Sequence, residues 1–246
     1  MRHSGHTNAG HANAARTTSI GVVVPALNEA VLLPRLLTRL VSAPDAADQC
    51  VVVDGGSTDG TPELVQAPVR VARTARGRGR QLAAGARELT TDVLLFLHAD
   101  TLPAPGALTA LREAFSEPAV QATAMRQRIE GKGAFYRCVE ACANARARLG
   151  IVYGDSGLAV RRDLYQSVGG FRPLPVFEDV DLSRRLSRET RVRVVAGAGL
   201  GISARRWERE GALRCTLRNW MLSLAFLAGT DPERLARRYE PSSSLP

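Results

Sequence analysis

Short, wholly apolar runs alternating with amphipathic helical patterns predict an α/β fold, a doubly wound, mostly parallel central sheet with helices on both faces. Two observations carry this prediction. The apolar runs are uninterrupted instead of alternating with polar residues, as in strands covered on both faces. Three of them also end in polar, carboxylate-bearing segments, at the edge where an open parallel sheet binds its ligand.

Ile20–Pro25 (IGVVVP) opens the sheet, followed by a helix over Glu29–Ser42 with Leu32, Leu33, Leu36, Leu37 and Leu40 on one face. Pro34 is tolerated there because it lies near the helix start. Cys50–Val53, Val69–Ala72 and Val93–Leu97 supply further strands, and Gly79–Glu88 and Pro105–Phe115 further helices. Beyond residue 115 the pattern is less regular. It predicts an added strand over Val120–Ile129 and a helix over Lys132–Leu149. Short helices over Arg162–Val168 and Asp179–Ser187 and a strand over Arg193–Val195 follow. Leu213–Leu227 is a helix with an apolar sector of Leu213, Leu217, Trp220, Met221, Leu224 and Leu227. That sector either packs on the core or, with Arg214 and Arg218 beside it, lies in a membrane interface. No Pro/Gly/Ser linker separates the halves 19–115 and 116–240, so residues 19–240 read as one domain between a disordered tail (1–18) and a second tail (241–246).

At 246 residues and 45% hydrophobic side chains the chain is too apolar for disorder and long enough to bury a core without staples. Cys50, Cys138, Cys142 and Cys215 are too few for a disulfide framework and read as small buried thiols. The polar opening, with His3, His6 and His11, lacks the apolar run of a secretory signal. No stretch reaches the ~18–20 apolar residues of a spanning helix, so the expected location is the cytoplasm. The net charge is +9, from 33 basic against 24 acidic residues, and Lys132 is the only lysine. Such a surface attracts phosphates, polyanions and anionic headgroups. The arginines are dispersed and stacking aromatics few, which argues against a nucleic-acid-binding protein.

The chemistry is expected where the strands end. The first run gives Pro25-Ala26-Leu27-Asn28-Glu29, the second Asp54-Gly55-Gly56-Ser57 and the fourth His98-Ala99-Asp100. Single residues such as Asn28 and Asp59 form turns or caps, but Glu29, Asp54 and Asp100 on one rim point to a site. Asp54, before glycines that admit a ligand to the backbone, suits a nucleobase or ribose donor, and Glu29 a ribose hydroxyl. Asp100 offers a hard oxygen to Mg²⁺ or Mn²⁺, whose shell substrate phosphates complete. Arg73–Arg80 (RTARGRGR) adds phosphate-binding guanidinium groups. Phe177-Glu178-Asp179 opens a helix with acids, either as favourable helix-terminus charge or as a general base. Arg205-Arg206-Trp207 sets guanidinium groups beside an aromatic.

With these residues in view, the chain resembles the family 2 glycosyltransferases of the GT-A fold, nearest the bacterial subgroup named for arsenosugar biosynthesis. The likeness runs from about Ser19 to Tyr239. It rests on VVVPALNEA, VVVDGGSTDGT, RGRGRQLAAGA, LLFLHADT, YGDSGLAVRR, GGF, FEDVDLSRRL and SARRWEREG, in that order. It implies an inverting transfer from a nucleotide-diphosphate sugar to a hydroxyl acceptor, with a divalent metal. Residues 19–115 would then bind nucleotide and 116–240 the acceptor; an interfacial Leu213–Leu227 helix would bring the site to a lipid-linked acceptor and a peripheral membrane contact. Pro25, Ala26, Glu29 and Asp54 would line the nucleotide pocket, with Arg78 or Arg80 near base or phosphates. His98-Ala99-Asp100 falls at the family's Asp-x-Asp motif, with Asp100 as metal ligand. Asp179 matches the catalytic base beside Glu178. Asp155 falls in the acceptor segment, and Arg206-Trp207 resembles a pair that processive relatives set against diphosphate and acceptor. His98 stands in place of the first aspartate, Ala84 in place of an asparagine, Ser156-Gly157 in place of Gln-Ala, and Ser203 in place of a glutamine. A GT-A-like protein that binds nucleotide without turnover is the alternative.

Overall fold

The structure is a computed structural model that describes residues 17–238, so most of the predicted first tail and all of the last lie outside the described residues. Eight strands form one sheet in the order β3-β2-β1-β4-β7-β6-β8-β5. The first half is the predicted wound unit. β1 (Ile20–Ala26), β2 (Gln49–Asp54), β3 (Arg70–Arg73) and β4 (Val93–Phe96) are mutually parallel. They are joined through α1 (Leu33–Val41) and α2 (Arg78–Arg87). The first helix starts four residues later than the sequence pattern suggested, and Pro34 sits in its first turn as expected.

Alternate residues of the buried strands feed two cores, one on each face. Ile20, Val22 and Val24 meet Leu33, Leu36 and Leu40 of α1 and Leu108, Leu111 and Phe115 of α3 (Ala107–Ser116). Val23, Val51 and Val53 meet Leu82 and Ala86 of α2, and Leu182 and Leu186 of α6 (Glu178–Glu189) lie in the same cluster. Each such side chain contributes about 1.5–3 kcal/mol by leaving water. Gly85 lets α2 lie close on the sheet, because a Cβ there would fall 2.4 Å from Val23 Cγ1.

The second half departs from the sequence reading. β7 (Leu158–Arg161), not foreseen, enters antiparallel between β4 and β6 (Ala122–Ile129). The strand expected at Arg193–Val195 runs on to Ile202 as β8, whose glycine-rich end (AGAGLG) gave no periodic signal. It pairs parallel to β6, with an irregularity between Met125 and Arg126, and antiparallel to β5 (Thr101–Pro103), also unforeseen. α4 (Ala134–Arg148), α5 (Arg162–Ser167), α7 (Arg205–Glu210), α8 (Ala212–Leu227) and α9 (Pro232–Ala236) complete the chain.

Two expectations about burial need correction. α8 buries Cys215, Thr216, Leu222 and Ser223, while most of its predicted core sector (Leu213, Leu217, Trp220, Met221, Leu224) is exposed. The helix packs chiefly on α7 and α9, so its other face is the covered one. Cys138 and Cys142, read as buried thiols, are exposed on α4, a helix that buries only Ala147; Cys50 and Cys215 are buried.

The inserted strand decides what meets at the sheet's rim. β7 runs against β4 with Phe96 opposite Leu158. The residues that follow β4, His98–Asp100, therefore face those that precede β7, Gly154–Ser156. The carboxyl ends of β6 and β8 point the same way as that of β4, which brings Gln127 and the start of α7 to the same rim.

Candidate active site

The loops after β1 and β2 are tied to each other before any ligand arrives. Asn28, at φ 56°, donates its backbone N–H to Ser57 Oγ (2.9 Å) and accepts from the Thr58 N–H on Oδ1 (2.9 Å). The N–H of Glu29 donates to Thr61 Oγ1 (2.8 Å) and that of Ala30 to Asp59 Oδ2 (3.0 Å). Asp54 is 3% exposed and accepts from the Gly56 and Ser57 amides at 3.0 and 3.1 Å, so part of its acceptor capacity shapes its own loop. Beneath both loops, the buried Gln81 amide donates to the carbonyls of Ala26 and Val53, each at 2.8 Å. Sequence reasoning missed Gln81. Its one signal was a polar residue on the inward face of α2.

Across the rim, Asp179 lies half-buried in the first turn of α6. Phe177 turns the chain into that helix at φ 60°. Asp179 Oδ2 accepts from the Gly154 N–H and Oδ1 from the Val180 N–H (2.7 Å). A Cβ on Gly154 would fall 2.4 Å from His98 Nε2 and 3.2 Å from Asp179 Oδ2. Only a residue without a side chain lets the β4 and α6 ends come together here. Asp155, next in the chain, accepts from Gln127 Nε2 at 2.6 Å, and its charge acts on both Asp100 and Asp179. Gln127 was also missed, being one of several polar residues in the strand predicted over Val120–Ile129.

These acids disfavour their charged forms. Burial raises the Asp100 carboxyl above its ordinary range and Asp155 adds to it, against Arg78 and Arg205. Burial likewise raises Asp179, opposed by Arg78 and the two amides. Glu178, 1% exposed, is raised by burial and lies 3.4 Å from Arg78 Nε. Glu29 is pushed up to about 7 by burial and then by Asp100, although Arg205 stands 3.6 Å away. Burial, with Arg78 and Arg206 nearby, holds His98 down at about 3, so its ring is neutral, and its Nε2 is buried without a hydrogen-bond partner.

Of the predicted site residues, the structure brings Glu29, His98, Asp100, Asp155, Glu178 and Asp179 together at one rim of the sheet, with Arg78 acting on four of them. Pro25, Ala26, Asp54 and Ala99 line the strand ends behind them. Arg80 is exposed and makes none of these contacts, so of the two candidate arginines Arg78 is the one at the site. Arg206 pairs with Glu210 at 3.3 Å, and Trp207 donates Nε1–H to Thr216 Oγ1 at 3.1 Å. Arg205, facing Glu29, is an addition to the predicted set.

A sheet wound in this way, with acids and arginines gathered at the carboxyl rim, is the GT-A fold of the glycosyltransferases. The sequence profile described as Glycosyl transferase family 2 matches residues 21–160, and the chain belongs to that family. No curated protein matches the chain significantly. Among solved structures, the chain is similar to the mannosyltransferase PcManGT from Pyrobaculum calidifontis in complex with GDP-Man and Mn²⁺. Identity there is 22% and the TM-score 0.67, over 91% of this chain and 65% of that one. The chain thus spans just under two thirds of that relative's length. It is also similar to M. tuberculosis glucosyl-3-phosphoglycerate synthase in complex with Mn²⁺, UDP and glucosyl-3-phosphoglycerate, at 23% identity and TM-score 0.59 over 82% of this chain and 77% of that one. A third is S. aureus TarS 1–349, at 17% identity and TM-score 0.63, over 76% of this chain and 60% of that one.

Proposed function

We propose that this protein moves a sugar, with inversion, from a nucleotide-diphosphate donor to a hydroxyl acceptor, Asp179 being the base. The observation that carries this reading is the meeting of Asp179, Asp155 and the His98–Asp100 segment around Gly154. A single displacement needs one base on the face opposite the leaving group and no protein nucleophile. Burial raises Asp179's proton affinity, which suits a group that takes the acceptor's proton near neutral pH. Its two hydrogen bonds from backbone amides fix the direction of its free lone pairs.

On the donor side, Pro25, Ala26, Glu29 and Asp54 line a place for base and ribose between loops that are already tied together. Arg78 and Arg206 set positive charge near His98, where the diphosphate departs. A divalent cation fits this donor set. Burial and the charge of Asp155 raise the cost of ionising Asp100, which a cation relieves, and the buried His98 Nε2 has no partner. Among the described residues no three His, Cys, Asp or Glu side chains form a ready metal cluster, so substrate oxygens would complete the shell. Mg²⁺ or Mn²⁺ bound there neutralises charge on the leaving diphosphate. The motif order supports the arsenosugar-type subgroup within the family.

A screen of common sugar nucleotides, scored by nucleotide release with and without Mn²⁺, tests the reading. Turnover that depends on the cation is the expected result. Asp100→Ala should lower metal-dependent donor affinity by about 2–3 kcal/mol in isothermal titration. Affinity unchanged by both cation and substitution contradicts the metal's role, and no release from any donor contradicts transfer.

A further inference from the structure

The side of the molecule facing α4 and α8 carries an apolar cavity of about 390 Å³, within the ~300–1,000 Å³ typical of ligand sites. Its outer wall is Cys142 of α4 and Trp220, Leu224 and Leu227 of α8. Asp155, Tyr153 and Trp207 also border it. Asp155 is the group whose charge acts on both Asp100 and Asp179. The apolar cavity is therefore bordered by a direct neighbour of the acids at the rim.

The mouth opens on surface that water should not favour. Met221 and Leu224 are 64% and 66% exposed, Leu149 at the end of α4 is 80% exposed, and Leu213 and Leu217 extend the patch. A contiguous exposed apolar face of this kind marks a partner, a membrane or a ligand groove. Charge selects among these. α8 carries Arg214 and Arg218 and no acid, with Arg218 paired to Glu210 of α7, and α4 carries Arg137, Arg146 and Arg148, with Arg137 paired to its single acid Glu140, so Arg214, Arg146 and Arg148 remain as the positive excess of this face. A basic rim around leucines and a tryptophan matches an anionic lipid surface. A second copy of this chain would set the same positive rims against each other. Among the described residues no helix is long and apolar enough to cross a membrane, so the contact is one of lying on the surface.

We infer that the acceptor is a membrane-borne amphiphile: its hydrocarbon chain occupies the α4–α8 cavity, its hydroxylic head reaches the Asp155–Asp179 crevice, and the exposed face of α8 rests on anionic lipid. This rests on the transferase reading above and deepens it by naming the acceptor's class.

Two readouts on the full chain test it. The first is co-sedimentation with phosphatidylcholine vesicles, with and without phosphatidylglycerol. The wild type should pellet with the anionic vesicles, and Leu213→Glu/Met221→Glu, outside the cavity, should lose pelleting several-fold while binding nucleotide diphosphate as before. The second is alkylation of Cys142, which lines the cavity, against Cys138, which does not. Dodecyl maltoside below its micelle concentration should slow Cys142 alkylation several-fold and leave Cys138 unchanged, and maltose alone should protect neither. Absence of either effect overturns the inference, as does a dimer that shields Cys142 without lipid. Retained nucleotide binding in those cases leaves the transferase reading standing, whereas lost binding in the wild type removes that reading itself.

Discussion

The two halves of the rim are built differently. On the donor side, the loops after β1 and β2 are joined by hydrogen bonds from Asn28, Glu29 and Ala30, and Gln81 ties the strand ends beneath them. On the acceptor side, α7 and α8 are held by ion pairs of Arg206 and Arg218 with Glu210, and leave a leucine-rich face uncovered. The contrast teaches that the side proposed for the nucleotide is preformed, whereas the side proposed for the acceptor keeps an open wall. Preformed polar contacts reduce the ordering a ligand must impose. An open apolar wall keeps stability low there and leaves the groove accessible.

The largest effect comes from breaking the join between the halves. Asp179→Asn keeps the shape and removes the base, so turnover should fall roughly 10²–10⁴-fold with nucleotide affinity unchanged. Steady-state kinetics and isothermal titration on one preparation check it, and an equal loss in both would make Asp179 a binding residue instead. The wild-type pH profile sharpens the same point. Because burial raises Asp179 above the ordinary aspartate range, the base is protonated and activity lost at a higher pH than for an exposed aspartate. An acid limb of kcat/KM near pH ~4 would contradict that.

Next is the donor scaffold. Gln81→Leu removes both hydrogen bonds from one buried amide, so the Val53 carbonyl loses its side-chain donor and the Ala26 carbonyl keeps the Gly55 N–H at 3.0 Å. A loss of about 2–4 kcal/mol is expected in denaturant unfolding, together with weaker nucleotide binding. The acceptor side should respond by face. Leu222→Ala, in the small cluster with Val176 and Leu235, should cost about 2 kcal/mol. Met221→Ala on the exposed face should stay within about 0.5 kcal/mol. Equal costs would mean the open face is covered in solution.

The same division explains what was legible in the sequence. β1, β2 and β4 announce themselves because strands buried on both faces are uninterrupted apolar runs, and their ends marked Glu29, Asp54 and Asp100. β7 stayed hidden because LAVR is short and carries no turn signal, and the end of β8 because glycines have no periodicity to read. With β7 unseen, nothing in the sequence showed how Asp155 and Asp179 reach Asp100. Asp155 was found through the family likeness, Asp179 was marked by its acid cluster with its role chosen by that likeness, and Arg205 was marked by its arginine cluster, while Gln81 and Gln127 act through contacts between distant segments. The α8 sector was legible as apolar, but periodicity reports which residues share a face and not what that face meets.

A crystal structure with a nucleotide-diphosphate sugar and Mn²⁺ tests the central claim most directly. The account predicts the diphosphate beside Asp100 and Arg78, the base and ribose between the loops of Glu29 and Asp54, and the sugar's anomeric carbon turned toward Asp179. A sugar bound on the far side of β2 and β3, or with its anomeric carbon shielded from Asp179, would contradict it.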